Sequence, residues 1–95
     1  MELFPPLTRF YNSVAEDPRI SATHISLYMA LLQQWNLNGG KNPIVIKRNF
    51  IMKAAKISAR CTYNKSINEL QQYGYIIYKP SVNLYSVSMV CLMGI

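Results

Sequence analysis

The chain has 95 residues, 51% of them hydrophobic, which suits one compact domain with a real core and is too short for two. Its net charge of +6 is unevenly spread: Arg9 and Arg19 stand against Glu2, Glu16 and Asp17 in the first forty residues, whereas from Lys41 onward eight Lys or Arg face Glu69 alone. The positive excess lies wholly in the second half, as expected where one face meets a polyanion, the plainer alternative being a basic solvated surface.

Cys61, Cys91 and the lone His24 show no metal-ligand spacing, so neither metal nor cofactor is expected, and the thiols read as free in a reducing, cytoplasmic setting. The start "MELFPPLTRF" has Glu2 and two prolines where a signal peptide needs a basic start and an unbroken apolar run. The apolar ending "VSMVCLMGI" is too short to span a bilayer and reads as a buried final strand, so no membrane partner is expected.

In chain order, residues 6–15 predict a first helix, with Leu7, Phe10, Tyr11 and Val14 at helical spacing and Pro18 beyond its end. Ser21 or Thr23 can cap a second helix over about 24–36, "HISLYMALLQQWN". Its apolar residues cover more than one face, so it is either central to the domain or partly buried against another subunit; Leu27, Tyr28, Leu31 and Trp35 are the candidates for a dimer interface. After the break "NLNGGKNP", "PIVI" predicts a very short strand. A third helix follows over 48–56, with Phe50, Ile51, Ala54 and Ala55 inward and Asn49, Lys53 and Lys56 outward. Ile57 is apolar in the turn, Ser58 is the expected cap of a fourth helix over about 59–73, and Gly74 is its stop. "YIIYK" and "LYSVSMV", around the turn tetrapeptide "PSVN", predict an antiparallel hairpin.

The fourth helix carries the informative chemistry. At 100° per residue Tyr63, Ser66, Ile67 and Leu70 share one side and anchor it. Opposite them lie Cys61, Lys65, Asn68 and Gln72, flanked by Thr62 and Asn64, a face with a cation and amides but no acid. Asn and Gln pair bidentately with adenine and Lys donates to guanine in a major groove that admits a helix. These six are the candidate base-reading residues, with Lys47, Arg48, Lys53, Lys56, Arg60 and Lys79 as candidate phosphate contacts that set register. An ordinary solvated helix face is the competing reading.

Helix, tight turn, helix, Gly and a two-stranded hairpin resemble the winged helix-turn-helix superfamily, "FIMKAAKIS" through "NELQQYGYIIY" being similar to GntR- and MarR-type regulators. The likeness covers about residues 43–90, one single winged-helix domain in which residues 1–40 supply packing or dimerising helices. More loosely, the chain resembles small winged-helix proteins of bacterial mobile elements and the N-terminal domain of DnaD-type replication proteins. In that pattern Ile51 and Ala55 match the apolar positions of the first helix of the motif, Ile57 the buried turn residue and Ser58 the cap. Lys56 stands where the common turn carries Gly, and one residue more than in the GntR spacing separates Ser58 from the inner-face series, which leaves Arg60 and Cys61 as alternatives for the first base-reaching position.

The resemblance implies an α+β winged-helix fold and sequence-specific binding of double-stranded DNA by a homodimeric transcription regulator, its recognition helices spaced about one helical turn apart. The runner-up is a winged-helix module that binds a protein partner in replication or mobile-element assembly. RNA binding ranks third, because Tyr63, Tyr73, Tyr75 and Tyr78 fall at core and hairpin positions. An enzyme is not expected: Glu16 and Asp17 adjoin at a helix end and Glu69 stands alone, so no acid/base pair is suggested. Cys61, near a helix start and basic residues, is a weaker candidate for an oxidant sensor.

Overall fold

Ser21 lies in extended backbone and starts the most buried helix of the chain. Its Oγ accepts the His24 N–H at 3.4 Å while His24 Nδ1 accepts the Ser21 N–H at 2.9 Å, a reciprocal cap closed by His where Glu or Gln is usual. Of the two residues that could cap this helix, Ser21 is the one used. In the computed structural model, which describes residues 4–80 and 87–93, the elements run α1 Phe4–Ala15, α2 Ala22–Leu37, β1 Ile44–Lys47, α3 Arg48–Ala55, α4 Arg60–Gln72, β2 Ile76–Lys79 and β3 Val87–Leu92. Four helices and a three-stranded antiparallel sheet make a small α+β domain, the class read from the sequence.

α2 is the centre of that domain. Leu27, Tyr28, Leu31 and Trp35, the candidates for a dimer interface, are at most 3% exposed within a single chain. Their apolar surface is already consumed by α3, α4 and the sheet on one side and by α1 on another, where the Phe10 and Tyr28 rings stack at 3.9 Å and 5°. Ser26 Oγ adds a hydrogen bond to the Ala55 carbonyl at the end of α3.

α3 leaves β1 without a side-chain cap and turns Ile51, Met52 and Ala55 inward. Phe50 and Ala54, expected inward, are exposed, because the helix phase follows Ile51 and Ala55 and leaves Phe50 about 100° away from the first of them. In α1, Phe10 is buried but Tyr11, also expected inward, is 45% exposed.

α2, α3 and α4 end alike. A residue in the left-handed region follows each, and the next N–H returns to the carbonyl five residues back: Gly40 to Trp35, Ile57 to Met52 and Tyr75 to Leu70, each at 2.9 Å. The left-handed residues are Gly39 at φ +73°, Lys56 at +62° and Gly74 at +88°. Lys56 therefore takes a conformation that favours glycine without being glycine.

The sheet order is β1-β3-β2, with Ile44 opposite Val90 and Ile76 opposite Leu92. The expected hairpin pairing of β2 with β3 is present, and β3 extends to Leu92; positions 81–83 of the expected turn and 84–86 of the expected strand lie outside the described residues. Ile44, Ile46, Ile76, Val90 and Leu92 face the helices. Asn42 continues the β1 side by donating from Nδ2 to the Leu92 carbonyl at 2.9 Å and accepting the Leu92 N–H at Oδ1 at 3.0 Å.

Two predictions come from these packing details. Lys56→Gly should raise the free energy of unfolding by roughly 0.5–1 kcal/mol, read as a higher urea midpoint, because it relieves a side chain held at positive φ. Burial pushes the Tyr28, Tyr63 and Tyr75 phenols up to about 12. The unfolded phenols ionise near the ordinary value of about 10, so stability should be intact below that pH and decline as pH rises from about 10 towards 12. Urea unfolding at about pH 9 and about pH 11 checks this, with a shallower loss expected for Tyr63→Phe.

Candidate nucleic-acid interface

α4 begins one residue later than its sequence suggests. Ser58 makes no cap: Ala59, in extended backbone, holds the N-cap position without a side-chain hydrogen bond, and the Tyr63 N–H bonds the Ala59 carbonyl at 3.1 Å. The reason is upstream, since burial of Ile57 and its N–H bond to Met52 set where the chain can re-enter a helix. The phase of α4 is nevertheless the expected one. Tyr63, Ser66, Ile67 and Leu70 are buried, whereas Arg60, Cys61, Thr62, Asn64, Lys65, Asn68 and Gln72 are all exposed. Asn68 Nδ2 donates to the Asn64 carbonyl at 2.8 Å, which holds this side chain along the helix with a carbonyl oxygen still able to accept.

The single acid of α4 is turned off that face. Glu69 Oε1 lies 3.0 Å from His24 Nε2, and its Oε2 accepts from the Tyr73 hydroxyl at 3.3 Å. His24 Nδ1 accepts the Ser21 N–H, so a neutral imidazole carries its proton on Nε2 and donates it to Glu69. The residue that caps α2 thereby also ties α2 to α4. On the opposite flank Gln71 Oε1 accepts the Tyr78 N–H at 2.6 Å, pinning α4 to the outer edge of β2. Neither Gln71 nor the His24–Glu69 pair was legible as a positioning contact in the sequence, because each joins residues brought together only by the fold.

A second cluster fixes the α1–α2 connection to the end of α4. Arg19 Nε and Nη2 donate to the two Asp17 oxygens at 2.8 and 2.9 Å, and the Tyr75 hydroxyl donates to Asp17 Oδ2 at 2.9 Å. The Arg19 guanidinium also sits 4.2 Å from the centre of the Tyr73 ring. The paired Arg19 donors, helped by Tyr75, hold the Asp17 carboxyl well below the usual carboxylate range. The Asp-Pro-Arg spacing is the signal in the sequence that points to this contact.

The basic residues divide by element. Lys53 and Lys56 are exposed on and just after α3, near Arg60 and Lys65 in the chain. Lys47 and Lys79 are exposed on the face of the sheet that points away from the helices, in register with Val87 and Met89 respectively. Arg48 is half-buried, and its Nε is enclosed without a hydrogen-bond partner. Its charge pulls the Tyr63 phenol down against the larger effect of burial.

Beside α4 a depression of about 340 Å³ is lined by Thr23, His24, Thr62, Lys65, Ser66 and Glu69, so the start of α2 forms one wall of a groove along the polar face. A crevice of about 550 Å³ lies against α1, with Arg9, Tyr28, Tyr75 and Met93 in its lining. Cys61 is exposed and Cys91 half-buried, both as free thiols. Among the described residues no group of three or more His, Cys, Asp or Glu could hold a metal ion, and no helix is long and apolar enough to cross a membrane.

His24→Ala should lower stability by roughly 1–3 kcal/mol in urea unfolding, since it removes a helix cap and leaves Glu69 with the Tyr73 hydroxyl alone as donor. Gln71→Ala should cost less, about 1 kcal/mol, because the freed Tyr78 N–H sits at an exposed edge that water can reach. Comparison with protein-family models, with curated proteins and with solved structures finds no match to this chain.

Proposed function

We propose that the protein is a winged helix-turn-helix binder of double-stranded DNA, with α3 and α4 as the helix pair and the β2–β3 hairpin as the wing. The observation that carries this reading is the outward face of α4. Cys61, Thr62, Asn64, Lys65, Asn68 and Gln72 are exposed together, and the only acid of the helix is drawn aside by His24 and Tyr73. A duplex approaching this face meets Glu69 only as a carboxylate already bonded by His24 and Tyr73, and the amides and cation of the face match the hydrogen-bonding edges of bases.

In this reading Lys65, Asn68 and Gln72 reach base edges and Arg60, Lys53 and Lys56 take flanking phosphates. Arg60 falls in the first turn of α4, close to the backbone side of the groove, and Cys61 is the first residue at the centre of the outward face. Lys47 and Lys79 stand on the outer face of the sheet, away from α4, and half-buried Arg48 meets backbone only with its exposed part. The biological role that follows is sequence-specific transcription regulation in the cytoplasm as a dimer on a two-fold site, with the subunit contact made outside the α2 core.

The test is fluorescence anisotropy of the protein with duplex DNA at several salt concentrations, followed by selection of a preferred site. The affinity should fall with a log–log slope of about −0.9 per neutralised phosphate. Lys65→Ala and Asn68→Ala should each lose about 1–3 kcal/mol of preference for the selected site while urea unfolding stays unchanged within error. Absence of binding even at low salt, or an unaltered site preference in both variants, would overturn the assignment of this face.

A further inference from the structure

Helices cover one face of the sheet only. On that face lie the buried Ile44, Ile46, Ile76, Val90 and Leu92. Strand alternation sends Val45, Ile77, Val87, Met89 and Cys91 to the other face, where no element among the described residues covers them. An antiparallel sheet with one wet face ordinarily alternates apolar-in with polar-out. Here the outward positions are apolar apart from Lys47 and Lys79.

Val45 is 62% exposed, Ile77 43% and Met89 39%, so these side chains meet solvent and not a neighbouring segment. The register makes them one surface: Val45 and Lys79 flank Met89 across the three strands, and Ile77 sits beside Cys91 in the next outward row. Past β1 a depression of about 230 Å³ lined by Leu37, Pro43 and Val45 continues the patch. Leu37 is the most exposed large apolar side chain described, at 68%.

Charge decides among occupants. Every charge on the outward sheet positions is a lysine, and the only acid beyond residue 40 is Glu69, which is on α4 and turned to His24. A second copy laid on this face would bring lysines to lysines with no acid from either sheet to answer them. DNA would satisfy Lys47 and Lys79 but would leave the apolar residues with nothing to bury against. A segment that is apolar along one side and acidic beside it satisfies both parts of the surface.

We propose that the outer face of the sheet docks an amphipathic helix of another protein, its apolar side chains over Val45, Ile77 and Met89 and its Asp or Glu residues beside Lys47 and Lys79. A helix is the suitable form because a single apolar stripe can lie along the central strand β3 without needing a strand edge. The face is on the side of the sheet away from the helices, so the inference does not rest on DNA reading by α4.

The experiment uses the full chain and two fluorescein-labelled synthetic peptides, one a helix with a Leu stripe flanked by Glu, the other identical but with Lys for Glu. Anisotropy should show the Glu peptide binding at least about tenfold more tightly than the Lys peptide. Met89→Glu should weaken the Glu peptide by a similar factor at an unchanged thermal midpoint, and the Lys47→Glu, Lys79→Glu double variant should reverse the preference. Lys65→Ala, on α4, should leave peptide binding as it was. The proposal is overturned if neither peptide binds, if Met89→Glu has no effect, or if Lys65→Ala abolishes binding. It is overturned equally if sedimentation shows a wild-type dimer that Met89→Glu converts to monomer, because the face would then belong to a second copy.

Discussion

The rest of the molecule depends on the burial of α2. A helix whose buried residues spread from Ala30 to Leu32 over roughly 200° of its circumference cannot satisfy itself against a single neighbour. Each such side chain gains about 1.5–3 kcal/mol by leaving water, so the chain folds around the helix from several sides. α3 and α4 take one flank, the inner face of the sheet packs beside them, and α1 closes another through the Phe10–Tyr28 stack. What a sequence reader weighs as a possible subunit interface is, in the monomer, the shared centre of every layer.

That arrangement also positions the candidate reading face. α4 is gripped by polar contacts on two flanks, Glu69 to His24 on the α2 side and Gln71 to the Tyr78 N–H on the β2 side. Between them Cys61, Thr62, Asn64, Lys65, Asn68 and Gln72 stay exposed. The Glu69 contact has an electrostatic consequence as well, because the carboxylate beside this face is already bonded by His24 and Tyr73. One histidine thus serves as helix cap, interhelix tie and partner of the only acid on α4.

The turn between α3 and α4 shows how a non-glycine residue can hold a left-handed backbone. Lys56 keeps φ +62° and lets the Ile57 N–H close on Met52. Ile57 is buried, and this hydrophobic anchor together with the hydrogen bond compensates a modest backbone cost. The same two contacts displace the start of α4 from Ser58 to Ala59, so the sequence's best capping residue stays in solvent while an alanine occupies the cap. The left-handed position therefore puts a cation at the surface of the turn.

Local chemistry determined much of this protein from the sequence alone. Periodicity placed all four helices and the phase of α4, glycine marked the end of α4, and β-branched and aromatic runs marked the strands, because these signals act between residues a few positions apart. The six outward residues of α4 were legible for the same reason. Tertiary structure alone decided that α2 is wholly internal, that Phe50 faces water, that Lys47 and Lys79 share the uncovered face of the sheet, and that Glu69 turns to His24 across 45 residues. Each of these depends on which surfaces compete for one core and on which strand lies between the other two, and a linear pattern carries neither until the chain has closed on itself.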